Sequence, residues 1–162
     1  MFANLTPKRV ELQKRLVKDL GEYCEILSQV NQWPLIAKIK SLGIILAIYI
    51  YPNTNPPGGR SLGEYKFNIK VPGQKQGERG NFDSSLGLPL LLSYAKDYDT
   101  YIIYEARKHV DFIWSSNIQS RVELLRSACI NGIAKMTKKN GETLIGVVSS
   151  ELSKGINESL ML

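Results

Sequence analysis

Arg79 and Asn81 close one polar segment, Gln74-Lys75-Gln76-Gly77-Glu78-Arg79-Gly80-Asn81. Arg107-Lys108-His109 begins a second, which continues to Ser115-Ser116-Asn117-Ile118-Gln119-Ser120-Arg121. Arginine presents a planar fork that matches guanine, asparagine and glutamine match adenine, and lysine, serine and backbone amides hold phosphate oxygens. Arg79, Asn81, Asn117 and Gln119 are therefore expected to read base edges. Arg60, Lys75, Arg107, Lys108 and Arg121 are expected to clamp phosphates, with Ser116 as a lighter phosphate contact.

A competing chemistry runs through the same stretch. Asp83 precedes a strand-turn-strand unit that delivers Glu105-Ala106-Arg107-Lys108. Two carboxylates suit Mg²⁺, and a nearby lysine would position the attacking water. The arrangement loosely resembles the PD-(D/E)xK nuclease pattern. It departs from that pattern where Arg107 stands in the lysine's place, because a guanidinium does not give up its proton. A metal-dependent nuclease using Asp83 and Glu105 is thus the alternative, and only there does Mg²⁺ enter. On the DNA-reading expectation no residue is catalytic, and no cofactor or structural metal is expected. One histidine and no Cys-x-x-Cys pair argue against zinc. Asn55-Pro56-Pro57-Gly58-Gly59-Arg60 lacks the Gly-Lys-Ser/Thr ending of a phosphate loop.

The elements that must position these residues follow from periodicity. The chain has 162 residues, enough for one well-buried core, and its net charge of +6 favours an anionic partner. Thr6-Pro7 starts a helix, and Leu12, Leu16, Leu20, Tyr23, Leu27 and Val30 continue its apolar face towards Trp33-Pro34. Leu35 to Ser41 reads as a short second helix. Ile44 to Tyr51 reads as a strand. In the next strand, Tyr65, Phe67, Ile69 and Val71 alternate with outward Lys66, Asn68 and Lys70. Leu88–Tyr94 and Thr100–Tyr104 are expected as strands around a turn, Gln119 or Ser120 to Met136 as a helix, Thr143–Val148 as a strand and Glu151–Leu160 as a final helix. Cys24 and Cys129 fall in helical patterns and are expected as buried, reduced thiols. No apolar run approaches the ~20 residues of a membrane span and no signal-peptide pattern is present, so a cytoplasmic protein without a membrane partner is expected.

Gly63-Glu64-Tyr65-Lys66 through Val71-Pro72-Gly73-Gln74, Arg79-Gly80-Asn81-Phe82-Asp83-Ser84-Ser85, Leu90–Tyr94, Tyr104-Glu105-Ala106 with His109, and Ser116-Asn117-Ile118-Gln119 together resemble a small bacterial family. It comprises the sequence-recognition domains that accompany type II restriction endonucleases and methylases, and the resemblance covers roughly residues 62–133. It implies a DNA-binding pseudobarrel like the plant B-three domain, with two arms that grip the major groove. Where that family has a tryptophan-aspartate pair, this chain has Tyr104-Glu105, which keeps an aromatic and an acid.

The resulting expectation is an α+β chain whose antiparallel or mixed sheet closes as a pseudobarrel. Residues 1–42 would form an N-terminal helical extension, and residues 43–162 one compact DNA-recognition domain ending in a helix. Double-stranded DNA is the expected partner, with a nuclease domain or subunit of the same restriction system as a second.

Overall fold

The structure, a computed structural model, describes residues 3–55 and 63–162; Arg60 lies outside the described residues. After a two-residue strand β1 (Ala3–Asn4) comes the first helix, α1 (Pro7–Leu20). Then follow β2 (Cys24–Ile26), β3 (Gln32–Trp33), β4 (Leu35–Ile39), β5 (Ile45–Pro52), β6 (Glu64–Ile69) and β7 (Arg79–Gly80). The remainder is β8 (Leu88–Ala95), β9 (Thr100–Tyr104), β10 (Phe112–Ile113), β11 (Ser116–Arg121), α2 (Val122–Asn131), β12 (Ile133–Thr137), β13 (Thr143–Val148) and α3 (Leu152–Leu160).

Seven strands form one sheet in the order β12-β13-β9-β8-β5-β4-β2. All its pairings are antiparallel except β5 with β8. The mixed α+β class therefore holds. The sheet is open among the described residues, with β12 at one edge and β2 at the other, and no closed barrel is found there.

The alternation of side chains across strands divides the core in two. Leu16 and Leu20 of α1 and Leu152 and Ile156 of α3 cover one face, packed on Ile48, Ile50, Leu92, Ile103 and Val147. The other face, through Tyr49, Tyr51, Leu91, Ile102 and Tyr104, receives Tyr65, Phe67, Ile69 and Ile118 of β6 and β11, and Leu124 and Leu125 of α2. Gly155 lets α3 approach closely: a Cβ there would lie 2.7 Å from Val147 Cγ1 and 3.2 Å from Ile103 Cδ1. Gly155→Ala is expected to cost about 1–3 kcal/mol through overpacking, outweighing the ~1 kcal/mol that alanine gains in helix propensity. A lowered urea midpoint at unchanged slope would register it.

Several expected elements differ. α1 starts at Pro7, with Thr6 in the N-cap position but without a side-chain capping bond. It stops at Leu20 rather than near Trp33, because Gly21 takes a positive φ of 50° and the chain turns into β2. Leu35–Ile39 is a strand instead of a helix, buried at four of its five positions and paired with both β2 and β5. The segment expected as a helical extension thus contributes two strands to the large sheet. The last long helical pattern splits at Gly132 (φ 83°) into α2 and the edge strand β12. Cys24 is buried, in a strand, whereas Cys129 is exposed on α2; both are free thiols. No helix among the described residues is long and apolar enough to cross a membrane.

Candidate nucleic-acid interface

β6 and β11 form a two-stranded antiparallel ribbon laid across the second face of the sheet. Their sequences dictate its sidedness. Tyr65, Phe67 and Ile69 alternate with Glu64, Lys66 and Asn68, while Ile118 and Ser120 alternate with Asn117, Gln119 and Arg121. The register pairs Asn117 with Asn68, Gln119 with Lys66 and Arg121 with Glu64. Three cross-strand pairs therefore lie on the outward face, and Asn68, Asn117, Gln119 and Arg121 are exposed.

The underside holds this face in place. Phe67 packs against Tyr51 at 5.1 Å and Tyr104 at 5.3 Å between ring centroids. Such pairs add about 0.5–1.5 kcal/mol each beyond burial. A buried polar network fixes the register as well. Asn53 Nδ2 donates to Ser93 Oγ at 3.2 Å and to Ser120 Oγ at 3.3 Å, and Ser93 Oγ lies 3.0 Å from Tyr104 Oη. A one-residue slip of β11 would bury Gln119 and strand Asn53. At the flanks, the backbone of Thr54 bridges Lys66, and Lys138 Nζ donates to the Gln119 carbonyl at 3.4 Å. Arg121 Nε lies 3.4 Å from Glu123 Oε2.

The other expected contact residues are dispersed. Arg79 is exposed on β7, which pairs with β10, and its Nη1 donates to the Asp111 carbonyl at 3.2 Å. Asn81 is engaged at both ends of its amide: Nδ2 donates to Asp111 Oδ1 at 3.0 Å, and Oδ1 accepts from the Asp111 backbone N–H at 2.9 Å. Ser116 Oγ donates to the Ile113 carbonyl at 2.6 Å. Arg107 and Lys108 stand on the turn after β9, where Arg107 and Asn81 line a cleft of ≈ 420 Å³ beside the end of α3. Lys75 lines a different cleft, with Lys70 and Trp114. Of the expected residues, Asn117, Gln119 and Arg121 thus converge on one face, to which the structure adds Lys66 and Asn68. The alternation in the sequence had already pointed those two outward; what it lacked was the partner strand, because Ser116 to Ile118 lies in a polar segment and a helix was expected from Gln119 or Ser120, whereas β11 runs on to Arg121 and α2 starts only at Val122.

Asp83 and Glu105 both serve as braces. Asp83 Oδ1 accepts from the Ser85 backbone N–H at 2.8 Å, and the Asp83 N–H donates to Tyr49 Oη at 3.1 Å. Glu105, 8% exposed, accepts from the Thr143 backbone N–H at 2.7 Å and from Arg107. Beside it, fully buried Glu142 accepts from the Glu105 N–H at 3.1 Å and lies 2.7 Å from His109 Nε2. Lys138 Nζ stands 3.9 Å from the other Glu142 oxygen, an ion-pair distance beyond hydrogen-bond reach. Among the described residues no group of three His, Cys, Asp or Glu side chains is placed to hold a metal ion.

The Thr143 N–H chiefly, and Arg107 in addition, hold the Glu105 carboxyl below its ordinary 4.5 against the opposing effect of burial. A depressed value in the folded state stabilises the protein above pH 4.5, and that contribution is lost as pH falls through the folded value. Glu105→Gln is expected to flatten this acid limb when urea midpoints are compared from about pH 6 down to pH 2.

A mixed sheet with a polar-faced ribbon docked on an aromatic layer defines a rigid α+β module whose distinctive surface is a ribbon face. The chain belongs to the Methylase-associated X1 family, whose pattern matches residues 44–156, more than half its length. That membership associates it with restriction-modification systems, and the matched span contains both ribbon strands. Among curated proteins and among solved structures, none matches the chain.

Proposed function

We propose that this chain is a sequence-specific double-stranded DNA-binding module of a restriction-modification system, and that it reads the major groove with the outward face of the β6–β11 ribbon. The observation that carries this reading is the row of paired side chains, Asn117 with Asn68 and Gln119 with Lys66, presented from a seated two-stranded ribbon. A major groove about 12 Å wide admits such a ribbon, whose strands lie about 4.8 Å apart. Asn68, Asn117 and Gln119 carry the donor-acceptor pairs that match adenine, while Lys66, Lys70 and Arg121 supply charge for the flanking phosphates. Arg79, Arg107, Lys108 and Lys75 extend the basic surface as phosphate contacts, and the net charge of +6 supports association with a polyanion. The pseudobarrel likeness belongs to this proposal too, supported by the second β layer that the ribbon makes over the open sheet. A nuclease or methylase of the same system is the proposed protein partner.

The salt dependence of duplex binding tests the electrostatic half of this reading. Lys66→Ala is expected to weaken binding to all duplexes alike and to reduce the slope of log K against log [salt] by about 1. An unchanged slope would remove Lys66, and with it the centre of the ribbon, from the interface.

A further inference from the structure

Beside the ribbon, where β6 runs out, lies a cleft of ≈ 740 Å³; the DNA reading uses its rim through Asn68, Lys70 and Lys75 but gives no role to Arg9 or Trp33 within it. Arg9 of α1, Trp33, Tyr51, Lys70, Lys75 and Trp114 are among its lining residues. Its electrostatics are one-sided: three cations line it and no aspartate or glutamate does. The Arg9 guanidinium lies 4.6 Å from the centre of the Trp33 ring and 5.1 Å from that of Tyr51. Among the described residues its nitrogens make no hydrogen bond or ion pair, and residues 1–2 and 56–62, outside that set, include no acidic residue. Burial lowers the Arg9 pKa, as it does for a half-buried cation that has lost part of its hydration.

Trp33, which also lines the cleft, carries a second unmet donor. Trp33 is 6% exposed, and its Nε1–H is buried without a hydrogen-bond partner. A buried indole N–H without an acceptor is destabilising, and a partly desolvated, unpaired guanidinium is more so. Arg9 and Trp33 come from separate elements, α1 and β3, so one accident of packing does not account for both. Tyr51 is otherwise occupied, donating to the Lys70 carbonyl at 2.8 Å. What the cleft lacks is an acceptor-rich anion.

We propose that this cleft is a phosphate-binding site in which Arg9 is the principal ligand, with the Trp33 indole N–H, Lys70 and Lys75 completing the donor set. A tetrahedral phosphate offers acceptors to all of these groups and neutralises the guanidinium. The phosphate comes either from the backbone of a bound duplex or from a free nucleotide or phosphate ion. The site does not depend on the ribbon reading, since its two unmet donors lie outside β6 and β11.

Both tryptophans of the chain line this cleft, so their emission reports on it directly. The full chain is titrated at low salt with inorganic phosphate, with a 5′-mononucleotide and with a duplex, and duplex binding is followed separately by anisotropy. Arg9→Gln should weaken the response roughly tenfold or more. The exposed pair Lys70→Gln/Lys75→Gln, which leaves the core intact, should weaken it too. A response to phosphate or mononucleotide that these variants reduce identifies a free ligand; a reduced response to the duplex alone identifies the DNA backbone. No response to any of the three, or one that survives in both variants, overturns the proposal. A duplex bound without any tryptophan response would overturn it while leaving the ribbon reading standing. A phosphate response without duplex binding would do the reverse.

Discussion

Replacing Asn117 by alanine is expected to weaken binding to the cognate duplex by about 1–3 kcal/mol, roughly 5- to 150-fold, while binding to unrelated duplexes stays the same. The selectivity of the loss is the point. A carboxamide that bonds two atoms of one base edge discriminates, whereas a contact to phosphate does not. Asn117 faces solvent opposite Asn68 and adjoins the Gln119–Lys66 pair, so its removal trims the middle of the proposed reading face. It has no packing role to lose: Ile118 and Ser120 carry the strand's buried contacts. The urea midpoint should therefore hold constant while anisotropy with cognate and scrambled duplexes separates. Equal losses on both duplexes would recast Asn117 as a phosphate contact; no loss on either would remove it from the interface.

Phe67→Ala should produce the largest stability change among ribbon residues, about 3–5 kcal/mol. Its ring is 5% exposed and is held between Tyr51 and Tyr104. Against a typical total of about 5–15 kcal/mol, such a loss is a large fraction of the stability of the fold. The ribbon is attached to the rest by side-chain packing more than by backbone bonds, its strands pairing with each other rather than with a strand of the main sheet. Losing Phe67 should therefore loosen the ribbon and weaken duplex binding together, even where the main sheet survives. A variant with a wild-type urea midpoint would contradict the packing argument. A destabilised variant that, still folded, bound DNA with full affinity would show that the ribbon is not the reader.

Strands built from near-continuous apolar runs were legible in the sequence. β5, β8, β9 and β13 fall within a residue or so of their expected bounds, because β-branched and aromatic runs ended by proline or turn residues leave little choice. β4 was not, since Leu-Ile-Ala-Lys-Ile satisfies a helical turn as well as a buried strand and only its two neighbours decide. β11 was hidden for a different reason. Ser-Asn-Ile-Gln-Ser-Arg places one apolar residue in six, and its partner β6 lies almost fifty residues away along the chain. The same long-range pairing explains the candidate site. Asn117, Gln119 and Arg121 could be named from residue type alone, but their gathering with Lys66 and Asn68 depends on a register that composition does not encode. Asn81, named on the same basis, is instead held at both amide ends by Asp111. Arg9 illustrates the opposite case: nothing in the sequence marks it out, and only the return of β3 and β5 places aromatic rings beneath it.

Selection of bound duplexes from a random-sequence pool at low salt, sequenced after several rounds, tests the central claim most directly. The account expects one short motif to emerge for the wild-type chain and to degrade in Asn68→Ala/Asn117→Ala, with that variant still folded and still retaining DNA without preference. A chain that retains no duplex, or a motif that persists unchanged in the double variant, would contradict the assignment of DNA reading to the β6–β11 ribbon.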